Sequence, residues 1–152
     1  MSNLKPDLHL RPATSQDLPI IRQLIWSERL DPTQLKWQQF WIIEQSGEII
    51  ACGQLRDFKN AQELGSLVVK REWRGQGIGT YLTQHLIKEA KQPLYLECLN
   101  NSRKYFYENC GFEVISWQKL PQSLKFKFGL GQLARVIFRL PFYIMQYQSN
   151  SQ

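Results

Sequence analysis

Residues 63–80 read Glu-Leu-Gly-Ser-Leu-Val-Val-Lys-Arg-Glu-Trp-Arg-Gly-Gln-Gly-Ile-Gly-Thr. Glu63 to Val69 is largely apolar and strand-like, and glycines follow at 75, 77 and 79. Ile78, Leu82, Leu86 and Ile87 then recur at helical spacing. The segment therefore predicts a strand, a tight turn, and a helix that starts at Arg74 or Gly75 and stops near Gln92-Pro93. Such a turn can hold a pyrophosphate: glycine lets the backbone approach a ligand, and the first N–H groups of a helix point at an anion that the helix dipole favours.

The flanking chain predicts more strands than helices. Leu8–Arg11 reads as a first strand, and Thr14 to Asp17 offers an N-cap. Leu18, Ile21, Leu24 and Ile25 share one face of a helix over 17–30, which Asp31-Pro32 ends. Residues 33–41 are ambiguous and include a possible second short helix. Phe40–Glu44 and Ile49–Arg56 pair across a Ser46-Gly47 hairpin turn. Asp57–Asn60 turns the chain into the strand at Glu63–Val69. Further on, Leu94–Leu99 is a strand, Asn100–Asn109 a helix capped by Cys110-Gly111, and Phe112–Ile115 a strand. Leu124, Phe126, Phe128 and Leu130 alternate with Lys125 and Lys127, which is strand-like. Phe142–Gln148 closes the chain as a strand. The pattern is α/β (α+β), with a mixed sheet of six to seven strands flanked by helices.

At 152 residues and 43% hydrophobic, the chain is expected to form a single domain over 1–152. No apolar run reaches the roughly 18 residues that span a bilayer, and Met1–Leu10 lacks a signal-like apolar stretch, so a cytoplasmic location is expected. Cys52, Cys98 and Cys110, with His9 and His85, show no metal-ligand spacing, and the thiols read as free and structural. The net charge is +6 and uneven. From Ser116 to Gln152 there is no Asp or Glu, while Lys119, Lys125, Lys127, Arg135 and Arg139 are present. That is either a solvated basic face or a surface for cofactor phosphates, nucleic acid or a membrane.

Three phosphate motifs compete for the turn. A P-loop requires a Gly-Lys-Ser/Thr ending that is missing here. A dinucleotide fold requires a third glycine at position 80, which is Thr80, and three strands precede the turn where that fold would begin with it. Arg74-Gly75-Gln76-Gly77-Ile78-Gly79, by contrast, resembles the Arg/Gln-x-x-Gly-x-Gly/Ala signature of the GNAT superfamily of acetyl-CoA-dependent N-acetyltransferases. Asn100 to Phe112 is similar to that superfamily's Asn-x-x-Ala-x-x-Leu-Tyr-x-x-x-Gly-Phe segment, in the right order and at the right separation. Arg103 departs from the pattern, standing where a small residue is usual. The resemblance covers nearly the whole chain, weakly over the first 45 residues and most closely over 63–113.

The resemblance implies a GNAT fold, a helix near 121–138, acetyl-CoA as co-substrate and no metal. It implies that Arg74, Gly75, Gln76, Gly77, Ile78, Gly79 and Thr80 cradle the coenzyme's pyrophosphate. It also implies that the pantetheine arm pairs with the main chain of Leu67, Val68 and Val69, where a bulge leaves an N–H for the thioester carbonyl. Glu63 takes the position of the base that removes the amine proton, and its strand face is shared with Gly65 and Leu67. Tyr107 matches the tyrosine that protonates the leaving thiolate. Asn100 matches an asparagine that bonds the coenzyme, and it also suits a helix N-cap. Trp26, Glu28, Asp31, Trp37 and Tyr143 are candidates for lining the acceptor site.

The expected activity is transfer of acetyl from acetyl-CoA to a primary amine of a small molecule or protein, by direct attack in a ternary complex. A nucleophilic cysteine is not expected, because no histidine is near Cys98 or Cys110 in sequence. Two other classes stay open: a non-catalytic acyl-CoA-binding or sensing module, and a basic nucleic-acid-binding protein. Family analogy also allows a homodimer through the C-terminal strand.

Overall fold

The protein is described by a computed structural model covering residues 5–149. Ser46 (φ 49°) and Gly47 (φ 82°) are both left-handed, the geometry of a two-residue hairpin turn whose twist matches that of the strands it joins. It links β2 (Phe40–Gln45) to β3 (Glu48–Phe58). β1 (Leu8–Pro12) pairs antiparallel with β2 from Leu8↔Gln45 to Pro12↔Trp41. Lys59 and Asn60 (φ 58°) turn the chain into β4 (Ala61–Val69). The remaining strands are β5 (Leu94–Cys98), β6 (Phe112–Val114) and β7 (Tyr143–Tyr147). Together they form one mixed seven-stranded sheet ordered β1-β2-β3-β4-β5-β7-β6, with the last strand inserted between β5 and β6. This is the α/β class expected.

The chain divides into two compact units. In the first, which runs up to Leu55 and includes Leu64–Glu89, α1 (Leu18–Ser27) buries Ile21, Leu24 and Ile25 against Phe40, Ile42, Ile49, Cys52 and Val68. Next to Cys52, Gly53 turns to the opposite face of β3, where a Cβ would stand 2.7 Å from Leu86 of α2 (Ile78–Glu89). The entry to α1 is held by Asp17, which accepts from the Thr14 N–H at 2.7 Å and from the Arg11 guanidinium at 2.8 and 3.0 Å. Arg11 holds the Asp17 carboxyl down to about 2, against the opposing effect of burial.

The second unit contains Arg56–Glu63 and the chain from Ala90 onward. Here β4 meets β5 in parallel through Gln62↔Leu94 and Glu63↔Tyr95, and β7 pairs antiparallel with both β5 and β6. Gln62 Oε1 accepts from the N–H groups of Lys91 (2.7 Å) and Gln92 (3.1 Å), fastening the chain as it enters β5. The core joins Ala61, Tyr95, Leu120, Phe142 and Ile144 to Leu124 and Phe128 of α4 (Gln122–Phe138).

Three expectations are corrected. α2 begins at Ile78 rather than at Arg74 or Gly75, because Gly75 (φ 73°) and Gly77 (φ 81°) are left-handed and cannot extend a right-handed helix. Residues 33–41 hold no second α-helix: a single 3-10 turn, Trp37–Gln39, leads into β2 at Phe40. The strand-like alternation at 124–130 lies inside α4, where Leu124 and Phe128 face the core one helical turn apart while Phe126 and Leu130 face outward. Helical packing overrides the period-two pattern there, in agreement with the helix that the family resemblance implied.

Candidate functional site

The glycine turn is built by backbone. A Cβ on Gly75 or Gly77 would meet nothing within 4 Å, so the demand for glycine is conformational rather than steric. Tyr81 N–H donates to Gly77 O at 2.9 Å, the first turn of α2. The N–H groups of Ile78, Gly79 and Thr80 stand ahead of that bond, where a helix leaves its donors for an anion. Ile78 is buried and anchors the turn, whereas Arg74, Gly75, Gln76, Gly77 and Thr80 are exposed and Gly79 is half-buried. Arg74 braces the turn from the side. Its Nε donates to Val69 O (2.8 Å), and its guanidinium pairs with Glu28 (2.7 Å).

Within β4, Ser66 takes φ 51°, a left-handed residue inside a strand. Strict side-chain alternation stops there, so the face shared by Glu63 and Gly65 does not continue to Leu67. Val68 is in the core beside α1, and Leu67 and Val69 are half-buried.

Glu63 is 2% exposed. Its Oε1 accepts from Arg56 of β3 at 3.2 Å and from Lys127 Nζ of α4 at 2.7 Å, and Lys127 also reaches Oε2. A carboxylate can be kept charged at that depth only if cations come with it. Neither cation was singled out in the sequence as a partner of Glu63. The available signal was the helical spacing of Leu124 and Phe128, which sets Lys127 beside an inward face.

Asn100 caps α3 (Asn101–Asn109), its Oδ1 accepting from Arg103 N–H at 2.7 Å. Tyr107, on the same helix, is buried with edge-on contacts to Phe106 and Phe112. Burial raises its pKa well above the ordinary phenol value, while the Arg103 charge pulls the other way. At neutral pH its hydroxyl therefore stays protonated. Arg103 is half-buried and acts electrostatically on both Tyr107 and Cys98. Burial pushes the thiols of Cys52, Cys98 and Cys110 up, to about 12, 11 and 11, so their nucleophilic thiolates are scarce.

Of the residues expected near an acceptor, Trp26, Glu28, Asp31 and Trp37 belong to the first unit and Tyr143 to the second. Trp26 is 75% exposed, and Trp37 lies in the 3-10 turn. Glu28 is engaged by Arg74, and Asp31 accepts from Thr33 N–H at 2.8 Å. Tyr143 donates its hydroxyl to Asn101 Oδ1 at 2.6 Å. Among the described residues, no group of three or more His, Cys, Asp or Glu could hold a metal ion.

The profile of the acetyltransferase (GNAT) domain matches residues 36–114. An amino-acid acetyltransferase of Shewanella oneidensis is 29% identical over 120 residues, which cover 76% of this chain and 26% of that protein. The N-acetylglutamate synthase of Neisseria gonorrhoeae, solved with coenzyme A and N-acetyl-glutamate, superposes with a TM-score of 0.76 at 22% identity. That match covers 96% of this chain and 36% of the synthase. A Mycobacterium tuberculosis protein solved with CoA gives a TM-score of 0.73 at 20% identity, covering 93% of this chain and 99% of the other. This chain thus spans about a quarter to a third of the first two relatives.

Proposed function

The chain belongs to the family of GNAT acetyltransferase domains, and on that premise we propose that it transfers acetyl from acetyl-CoA to the amine of an amino acid, by direct attack in a ternary complex. The observation that carries the reading is the turn at Gly75 and Gly77, left-handed at both and opening α2 inside the matched region. It is suited to a pyrophosphate, with Arg74 to Thr80 supplying backbone N–H groups and Leu67 to Val69 supplying the main chain for the pantetheine arm. Asn100, as cap of α3, fixes the helix that carries Tyr107.

The amino-acid acceptor is supported by the activities named for two of the relatives and by the ion pairs at Glu63. A zwitterion can exchange with the Glu63–Lys127 pair, its carboxylate taking Lys127 and its ammonium taking Glu63. Two charges are thereby satisfied without stranding either side chain, which a buried pair requires. Arg56 keeps the Glu63 carboxylate in place during the exchange. Glu63 then accepts the proton of the ammonium, and the amine lone pair attacks the thioester carbonyl. A β4 N–H stabilises the oxyanion, the C–S bond breaks as Tyr107 protonates the thiolate, and the second proton of the attacking nitrogen, lost as the neutral amide forms, restores the Tyr107 hydroxyl. The free, buried thiols support a reducing, cytoplasmic setting.

The test is acetyl-CoA turnover, followed by thiol release, against amino acids, polyamines and peptides, with Tyr107→Phe alongside. Turnover is expected with an amino acid and is expected to drop about tenfold or more in the variant. Coenzyme binding without turnover on any amine would leave a sensing module instead.

A further inference from the structure

No side chain on the outward side of α4 takes part in the acetyl transfer proposed above. Among the described residues, seven of the twelve exposed large hydrophobic side chains fall between Phe126 and Leu140. Phe126, Leu130, Leu133 and Ile137 follow one another at spacings of four, three and four, a single helical stripe opposite buried Leu124 and Phe128. Phe126 is 86% exposed. At the helix end Val136, Phe138 and Leu140 are also open to solvent, and Arg139 closes the helix in a left-handed conformation. α4 thus has two apolar faces, and only the inner one has a core to cover it.

The charge around the stripe points to its occupant. Near the start of α4 Lys125 lies about 100° round the helix from the stripe, over the Trp117 ring, near its end Arg135 lies on the side away from the stripe, Arg139 is the C-cap, and no acidic residue occurs from Ser116 to Gln152. We infer that α4 docks in the plane of an anionic phospholipid surface, its outer stripe entering the acyl boundary and its cations resting at the headgroups. A helix lying on a membrane carries its cations away from the apolar stripe, on its polar sides and ends, where they meet the headgroups. Seventeen residues of α4 give a contact line about 25 Å long, ample for an in-plane anchor though not for a span. A second copy suits the face less well. An antiparallel self-pair would set Lys125 of one helix beside Arg139 of the other, with no carboxylate on either helix to offset them. Nucleic acid would engage the cations and leave the stripe uncovered.

The test is co-sedimentation of the full chain with vesicles of phosphatidylcholine alone and of phosphatidylcholine mixed with phosphatidylglycerol. Binding is expected only to the anionic vesicles, and it falls as salt is raised. Leu133→Glu with Ile137→Glu is expected to lose about a hundredfold in partitioning. These side chains are exposed, so the melting temperature and acetyl transfer to a soluble amine should be retained. Lys125→Gln, Arg135→Gln and Arg139→Gln together keep the stripe and should also lose about a hundredfold on anionic vesicles. Failure of the unaltered chain to bind anionic vesicles at low salt overturns the inference. So does binding that both variants keep. A dimer in sedimentation velocity that the Leu133→Glu, Ile137→Glu variant splits, with no vesicle binding by the unaltered chain, assigns the face to a second copy instead.

Discussion

The coenzyme turn proposed at the start of α2 is made of backbone: two left-handed glycines and a row of helix N–H groups within six consecutive residues. The acceptor site proposed at Glu63 is made of side chains from three elements, with Arg56 on β3, Glu63 on β4 and Lys127 on α4, 64 residues further on. A backbone site must be written in consecutive residues, because φ and hydrogen-bond donors are local properties. A side-chain site can be assembled from anywhere the fold brings together, so its members leave no mark on one another's sequence neighbourhood.

The two places should therefore fail differently. Glu63→Gln removes the proton acceptor and strands two cations, and kcat should fall about 100-fold or more. The melting temperature should fall with it, since breaking a buried pair costs about 3–5 kcal/mol. Steady-state kinetics well below the new melting point separates the two effects. Gly77→Val puts a β-branched residue at φ 81° at a cost of about 2 kcal/mol, which should appear as a KM for acetyl-CoA raised about 30-fold with kcat spared. Lys127→Met keeps the Arg56–Glu63 pair and should raise KM for the amino acid about tenfold, leaving KM for acetyl-CoA unchanged.

Asp17→Asn tests neither place and should affect stability alone. The folded carboxyl sits near 2, below its ordinary value of 3.8, so its contribution is present above pH 4 and is lost as pH falls towards 2. Arg11 is partly exposed, which screens the pair and leaves about 1–2 kcal/mol at pH 7. Denaturation curves of the two proteins should differ at pH 7 and converge near pH 2.

Much of the fold was legible because its signals are local. Ser46-Gly47 marked a hairpin, and the spacing of Ile21, Leu24 and Ile25 marked α1. Glycine misled at the boundary of α2, because Gly75 and Gly77 are left-handed and belong to the turn before the helix rather than to the helix. The alternation of Phe126, Phe128 and Leu130 misled for another reason. Only Phe128 of the three is buried, so the pattern recorded an outer apolar face and not a strand. Lys127 was visible only as one of five cations in an acid-free stretch, and Ser66 gave no hint of its left-handed φ.

The central claim is that the Glu63–Lys127 pair opens to receive a zwitterion. The direct measurement compares kcat/KM for an amino acid and for its amide, which lacks the carboxylate, in the unaltered chain and in Lys127→Met. The account predicts about a 30-fold preference for the acid in the unaltered chain, largely lost in the variant. A preference that survives Lys127→Met undiminished, or an amide turned over as well as the acid by the unaltered chain, would contradict it.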